Sequence, residues 1–184
     1  MRWESRYVGD IGNLARVSVD GTDKPIEDPD PFDPELFSFK INSSGVRYEI
    51  GLCIMTGFIV WINGPFKPGP NPDLVIARQG LIYALDIGEY YSGDAGYYDG
   101  WEFSLPKKYG PPEFQENAAA VCARHETVNA RYNICNIMTT KFRHGFERHG
   151  SVMSSLTNLV QLSLMSGNEL YSIHYDDSSL RAYL

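Results

Sequence analysis

The stretch Val46-Arg47-Tyr48-Glu49-Ile50-Gly51-Leu52-Cys53-Ile54-Met55 constrains this chain most. Tyr48, Ile50, Leu52 and Ile54 recur at every second position, the period of a strand with one buried face. Thr56-Gly57 supplies a turn, and Phe58-Ile59-Val60-Trp61-Ile62 reads as the returning strand. Together they predict a β-hairpin whose apolar face the rest of the chain must cover.

The flanking segments supply that cover. Leu14 to Asp20 reads as a strand with Val17 and Val19 on one face, ending at the turn signal Asp20-Gly21-Thr22-Asp23. Residues 24–45 are Pro-rich and acidic and are expected to form a long surface loop. After the Gly/Pro stretch from Gly64 to Pro72, a helix is expected from Asn71 or Pro72 to about Leu85. Glu89 to Gly93 reads as a short strand ending at Asp94, and 95–113 as a loop. A long helix is expected from about Gln115 to Phe142, with Val121, Val128, Tyr132, Cys135, Met138 and Phe142 along one stripe. Met153 to Met165 reads as another helix, closed by Gly167, and Leu170 to Tyr175 as an extended segment. This order predicts an α/β layer fold with a mixed sheet, in one domain spanning residues 1–184.

Composition narrows the function classes. There is no run of 18 apolar residues, so no membrane span is expected. Met1 to Arg6 lacks the apolar core of a signal peptide. Cys53, Cys122 and Cys135 have no CxxC spacing, so reduced, buried thiols are expected rather than a disulfide framework or zinc finger. The net charge of −7 opposes nucleic-acid binding, but its distribution does not. Residues 121–150 carry Arg124, Arg131, Lys141, Arg143 and Arg148 against Glu126 and Glu147, a net +3 that leaves −10 elsewhere.

Three acids fit one chemistry. Asp20 and Asp94 each end an expected strand before a glycine-containing turn. If those strands are neighbours, both carboxylates meet at one edge of the sheet. Glu126 lies about 170° from the apolar stripe, at roughly 100° per helical residue, so it is expected outside the core. Phosphodiester cleavage can use two divalent ions held by hard oxygen ligands, which carboxylates supply. The plain alternative is a solvated glutamate and two strand-end aspartates.

Five blocks sharpen the choice: Val19-Asp20-Gly21-Thr22-Asp23, Arg47-Tyr48-Glu49-Ile50-Gly51, the loop Gly64 to Asp73, Gly93-Asp94-Ala95-Gly96-Tyr97, and Ala123-Arg124-His125-Glu126-Thr127-Val128-Asn129. In that order, over roughly residues 14–175, they resemble the catalytic domain of Harbinger-type DDE transposases, the DDE Tnp4 group of endonucleases. The resemblance implies an RNase H-like, retroviral-integrase-like fold: a mixed sheet flanked by helices. It implies that Asp20, Asp94 and Glu126 hold two Mg²⁺ or Mn²⁺ ions. It implies DNA hydrolysis at a transposon end followed by strand transfer, in the nucleus, with DNA as partner. It leaves open a separate DNA-binding partner protein and a homo-oligomer. Where the family helix carries an aromatic, a glycine and then a lysine after its glutamate, this chain has Asn129, Ala130 and Asn133. The family also carries a helix-turn-helix region before its catalytic domain, and none is expected within the residues before Asp20. The second reading is therefore a domesticated or decayed module that binds DNA or protein without catalysis.

Asp73 is expected either to support the metal site or to serve as a helix N-terminal acid. Asp23 is expected as a turn residue with a minor supporting role. Arg124, Arg131, Lys141, Arg143 and Arg148 either track a DNA backbone or form a solvated face. His125, His144 and His149 are expected at the surface or on phosphate. Trp61, Tyr90, Tyr91, Tyr97 and Tyr98 are expected to pack, with base stacking as the alternative.

Overall fold

The computed structural model describes residues 1–8, 12–100, 102–105 and 111–182. Six strands and four α-helices are described: β1 (Ala15–Pro25), β2 (Phe37–Ser38), β3 (Ser43–Cys53), β4 (Ile59–Phe66), α1 (Asp73–Gln79), α2 (Leu81–Ala84), β5 (Tyr90–Ser92), β6 (Ser104–Leu105), α3 (Pro112–Asn133) and α4 (Phe146–Met165). β3 lies antiparallel between β1 and β4, β5 runs parallel to β1, and β6 runs parallel to β5. The short β2 pairs with the start of β3. The result is a mixed, open sheet with helices against it.

The β3–β4 hairpin forms where the alternation predicts it. Tyr48, Ile50 and Leu52 pack with Val128 and Tyr132 of α3 and with Val160 and Leu164 of α4. The opposite face carries Val17, Val19, Cys53 and Val60 against Ala77, Leu81, Tyr91 and Tyr97. Burial on both faces is the reason the central strands are apolar at consecutive positions. Among the described residues no helix is long and apolar enough to cross a membrane.

Several elements differ from expectation. β1 does not turn at Gly21 but continues to Pro25, with Asp20 mid-strand and Asp23 within the β1–β3 pairing. Gly21 answers a close approach instead: a Cβ there would lie 2.3 Å from Asp73 Oδ1. The helix expected to end near Leu85 is broken at Gly80, where a Cβ would lie 2.6 Å from Asn63 Nδ2. The helix expected to reach Phe142 stops at Asn133. Phe142 is held elsewhere: its N–H donates to Pro25 O at 3.1 Å, and its carbonyl accepts from Glu27 N–H at 2.9 Å. α4 starts earlier than expected, at Phe146, after Gly145 at φ 83°. Part of the expected 24–45 loop is a 3-10 turn (Pro34–Leu36) followed by β2. β6 lies in a segment read as loop, and residues 170–175 form no strand. Of the thiols, only Cys53 is fully buried.

Two histidines expected at the surface are core residues. His125 is buried, with Ser18 Oγ 3.0 Å from its Nε2, and burial pushes its ring down to about 3. His149 stacks on Tyr48, with Tyr48 Oη 2.8 Å from Nδ1, and burial first, then Lys24, pushes it down to about 4. His144 alone of the three is exposed. Both buried rings bind protons later in the fold than in the unfolded chain, whose histidines titrate near about 6.5. Their stability contribution is therefore full above that pH and is lost as pH falls through about 4 and about 3. The urea midpoint of His125→Gln is therefore expected to rise relative to that of wild type between pH 7 and pH 5, because the variant lacks this loss.

Candidate active site

Asp20 pairs directly with Ile50 of β3, so its side chain leaves the sheet on the face covered by α3. Glu126 stands exposed on α3, as its angle from the apolar stripe predicts. Asp94 follows β5 and caps a single 3-10 turn, its Oδ1 accepting from Gly96 N–H at 2.8 Å. β1 and β5 are parallel neighbours with Ser18 beside Ser92, so Asp20 and Asp94 stand at the same level. The expected meeting of the two strands is thus present, although Asp20 is not at a strand end.

The three carboxylates share two adjoining hollows. One, of 570 Å³, is lined by Asp20, Asp94 and Glu126 together with Lys24, Lys40 and Asn133. The other, of 300 Å³, is lined by the same acids with Cys122 and His125. Among the described residues, however, no three His, Cys, Asp or Glu side chains are close enough to hold a metal ion as they stand. The acids border one cleft without closing on one point.

The electrostatics still suit a cation. Burial pushes the Asp20 carboxyl up to about 6, Asp94 and Asp73 push the same way, and Lys40 opposes them. Uncompensated negative charge supplied by hard oxygen donors matches the chemistry of Mg²⁺ or Mn²⁺. Lys40 is the cation already present: its Nζ donates to Gly21 O at 3.0 Å and Asp73 Oδ2 at 3.3 Å.

Asp73 takes the helix N-terminal position. It is the first residue of α1, and its carboxylate presses on Gly21, beside Asp20. It also pairs with Arg47 Nη1 at 3.5 Å. Asp23 departs from expectation. It is a buried partner of Arg47, with Nε to Oδ1 at 2.7 Å and Nη2 to Oδ2 at 2.8 Å, and Ser38 Oγ donates to the same carboxylate. Its oxygens are committed to the fold.

Of the five basic residues, Arg124 does not belong to a DNA track. Arg124 is 2% exposed. Its Nη1 donates to Ile54 O at 2.6 Å, and its Nε and Nη2 to Tyr171 O at 3.0 and 2.6 Å. These bonds to carbonyls leave Arg124 as a structural donor, not a phosphate contact. Arg124→Met is expected to cost about 1–3 kcal/mol for each carbonyl left unpaired. Denaturant midpoints check this, and unchanged DNA affinity of the folded protein is expected alongside. Arg131 is half-buried beside Tyr132 and Leu156, and Lys141 pairs with Asp28 at 2.5 Å. Arg143 lines a separate hollow with Lys141 and His144, and Arg148 is exposed. Tyr91 and Tyr97 are core residues, and Trp61 packs on Trp3 with ring centroids 5.3 Å apart.

Sequence reasoning missed Lys24, Lys40 and Glu49. Lys24 shares the Asp20 face, a placement readable only if β1 runs through Gly21. Glu49 is fully buried under the opposite face, where burial pushes its carboxyl up to about 7. Trp61 Nε1 donates to its Oε2 at 2.7 Å. No family model, curated protein or solved structure matches the chain.

Proposed function

We propose that this chain is a divalent-metal-dependent DNA endonuclease and strand transferase of the Harbinger DDE type, built on an RNase H-like fold and acting in the nucleus. One observation carries the reading. Carboxylates from a central strand, from the end of its parallel neighbour and from a covering helix border the same cleft. The mixed sheet with helices on its faces suits that fold.

Asp20, Asp94 and Glu126 would hold two Mg²⁺ or Mn²⁺ ions, which when bound supply an activated water and a stabilised leaving oxygen. The chain's own residues set the conditions. Asp20 offers a carboxylate above about pH 6 and a carboxylic acid below it. Asp94 is oriented by its bond to Gly96 N–H. Gly21 lets Asp73 approach the Asp20 backbone, and Lys40 holds that second acid. His125, kept neutral by burial, lines the smaller hollow without adding charge.

Nicking of supercoiled DNA in Mg²⁺ or Mn²⁺ tests this. Loss of residues that merely support a metal ligand costs about 10–100-fold. Asp94→Asn or Glu126→Gln is therefore expected to lose at least about 100-fold. Full activity in either variant sinks the assignment. The carboxylates' failure to close on one point favours a second reading, a module that binds DNA or protein without catalysis. Metal-independent binding, with no nicking at any metal concentration, would select it.

A further inference from the structure

We propose that Lys24, braced by Asn133, is a phosphate-binding subsite for the DNA strand that continues past the acidic end of the cleft. The inference rests on the nuclease reading above.

Lys24 lies on β1, four residues beyond Asp20 and therefore on the same face. At roughly 3.3 Å per residue the two are about 13 Å apart along the strand. Both line the 570 Å³ hollow. The cleft thus has an acidic end and, a few nucleotide steps away, a cationic one.

The surroundings of Lys24 are unusual for an ammonium. The residue is 3% exposed, and its Nζ donates to Asn133 Oδ1 at 2.9 Å. Tyr132 lies beneath, with the ammonium 5.8 Å from the ring centre. An ammonium has three donors, and here one neutral amide is its hydrogen-bond acceptor among the described residues. No described carboxylate forms an ion pair with it. Asp23, the nearest acid by charge effect, spends both oxygens on Arg47 and Ser38. Lys40, by contrast, is neutralised by Asp73. Burial holds the Lys24 amine down at about 8, so an arriving anion restores charge balance that the fold leaves unmet. A phosphate oxygen entering from the cleft supplies both the missing charge and the missing acceptors. Asn133 orients the amine from the exposed end of α3.

The test is fluorescence anisotropy of a labelled duplex oligonucleotide, titrated with wild type, Lys24→Met and Asn133→Asp in EDTA, from low salt to about 1 M. Each phosphate contact contributes about 0.9 to the slope of log K against log salt. Lys24→Met is expected to lower that slope by about 0.9, which corresponds to about tenfold weaker binding at 0.1 M salt. Asn133→Asp neutralises the ammonium from an exposed position and is expected to lower the slope equally, so it decides the matter if Lys24→Met fails to fold. A purely structural lysine would shift the melting temperature and leave the slope alone. Wild-type slopes in the folded variants overturn the subsite while leaving the nuclease reading intact. Wild-type binding without nicking removes the catalysis and, if the slopes fall as expected, supports the subsite. Absence of DNA binding by wild type even at low salt overturns both.

Discussion

Asp20→Asn is expected to abolish metal-dependent nicking and, at the same time, to stabilise the protein. The amide keeps the shape and removes the charge. The carboxyl titrates at about 6 in the fold, against 3.8 for an ordinary aspartate. At 1.36 kcal/mol per unit, its ionised form costs the native state on the order of 3 kcal/mol at neutral pH. A chain of this size gains roughly 2–4 °C per kcal/mol, so a rise of several degrees is expected near pH 7.5. The direction with pH follows from the raised value. The native state holds this proton more tightly than the unfolded chain, so the Asp20 contribution to wild-type stability grows as pH falls from about 6 to 3.8. The advantage of the variant should therefore shrink over that window and vanish below it. Added Mg²⁺ or Mn²⁺ should raise the wild-type melting temperature and not that of the variant, because only wild type gains by binding. Retained nicking, or a variant less stable than wild type at pH 7.5, defeats the assignment. An acid that weakens the fold and is kept at the cleft mouth is the stability–function conflict expected of a working site.

How far this site could be read from sequence depends on which physical signal marks each residue. Alternation through Tyr48, Ile50 and Leu52 marks β3 because one face of that strand meets α3 and α4. The angle of Glu126 from the helix stripe marks it as outside the core, and it is exposed. Asp20 was legible as an acid on a strand, but Asp-Gly-Thr-Asp reads as a turn by local propensity alone. The force that keeps β1 extended is non-local: nine residues pair with β3 from Val17 to Pro25, and Asp73 needs the space at Gly21. Once β1 is cut short in the reading, Lys24 loses its face and Asp23 its partner. The same blindness explains Arg124. A basic residue on a helix beside an exposed glutamate looks like surface. Only the return of the chain at Tyr171, whose carbonyl accepts from the guanidinium that also reaches Ile54 O, makes it a buried donor. The net +3 of residues 121–150 stands, but Arg124 spends its share inside the fold.

Arg47→Met is expected to cost about 3–5 kcal/mol, the range for removing one partner of a buried ion pair. The reason lies in what remains. Asp23 is 8% exposed and would keep a carboxylate with Ser38 as its remaining described side-chain partner. The Arg47 fork makes two short bonds to that carboxylate and a third, at 3.2 Å, to Asn71 O. It thus ties β3 to β1 and to the turn that starts α1. Met replaces its volume and none of its donors. The double variant Asp23→Leu/Arg47→Met removes both charges together and is expected to recover much of the loss, since uncompensated charge rather than packing dominates the single change. Denaturant midpoints of the four proteins in the cycle give the coupling directly. A single-variant cost below about 1 kcal/mol would show that water reaches the pair. The function should follow the same logic by a different route. Arg47 also faces Asp73, whose carboxylate abuts Gly21 beside Asp20. The double variant restores the fold without restoring that contact, so its stability should return while nicking stays reduced. If nicking recovers in step with stability, Arg47 serves the sheet alone and Asp73 is positioned by Lys40.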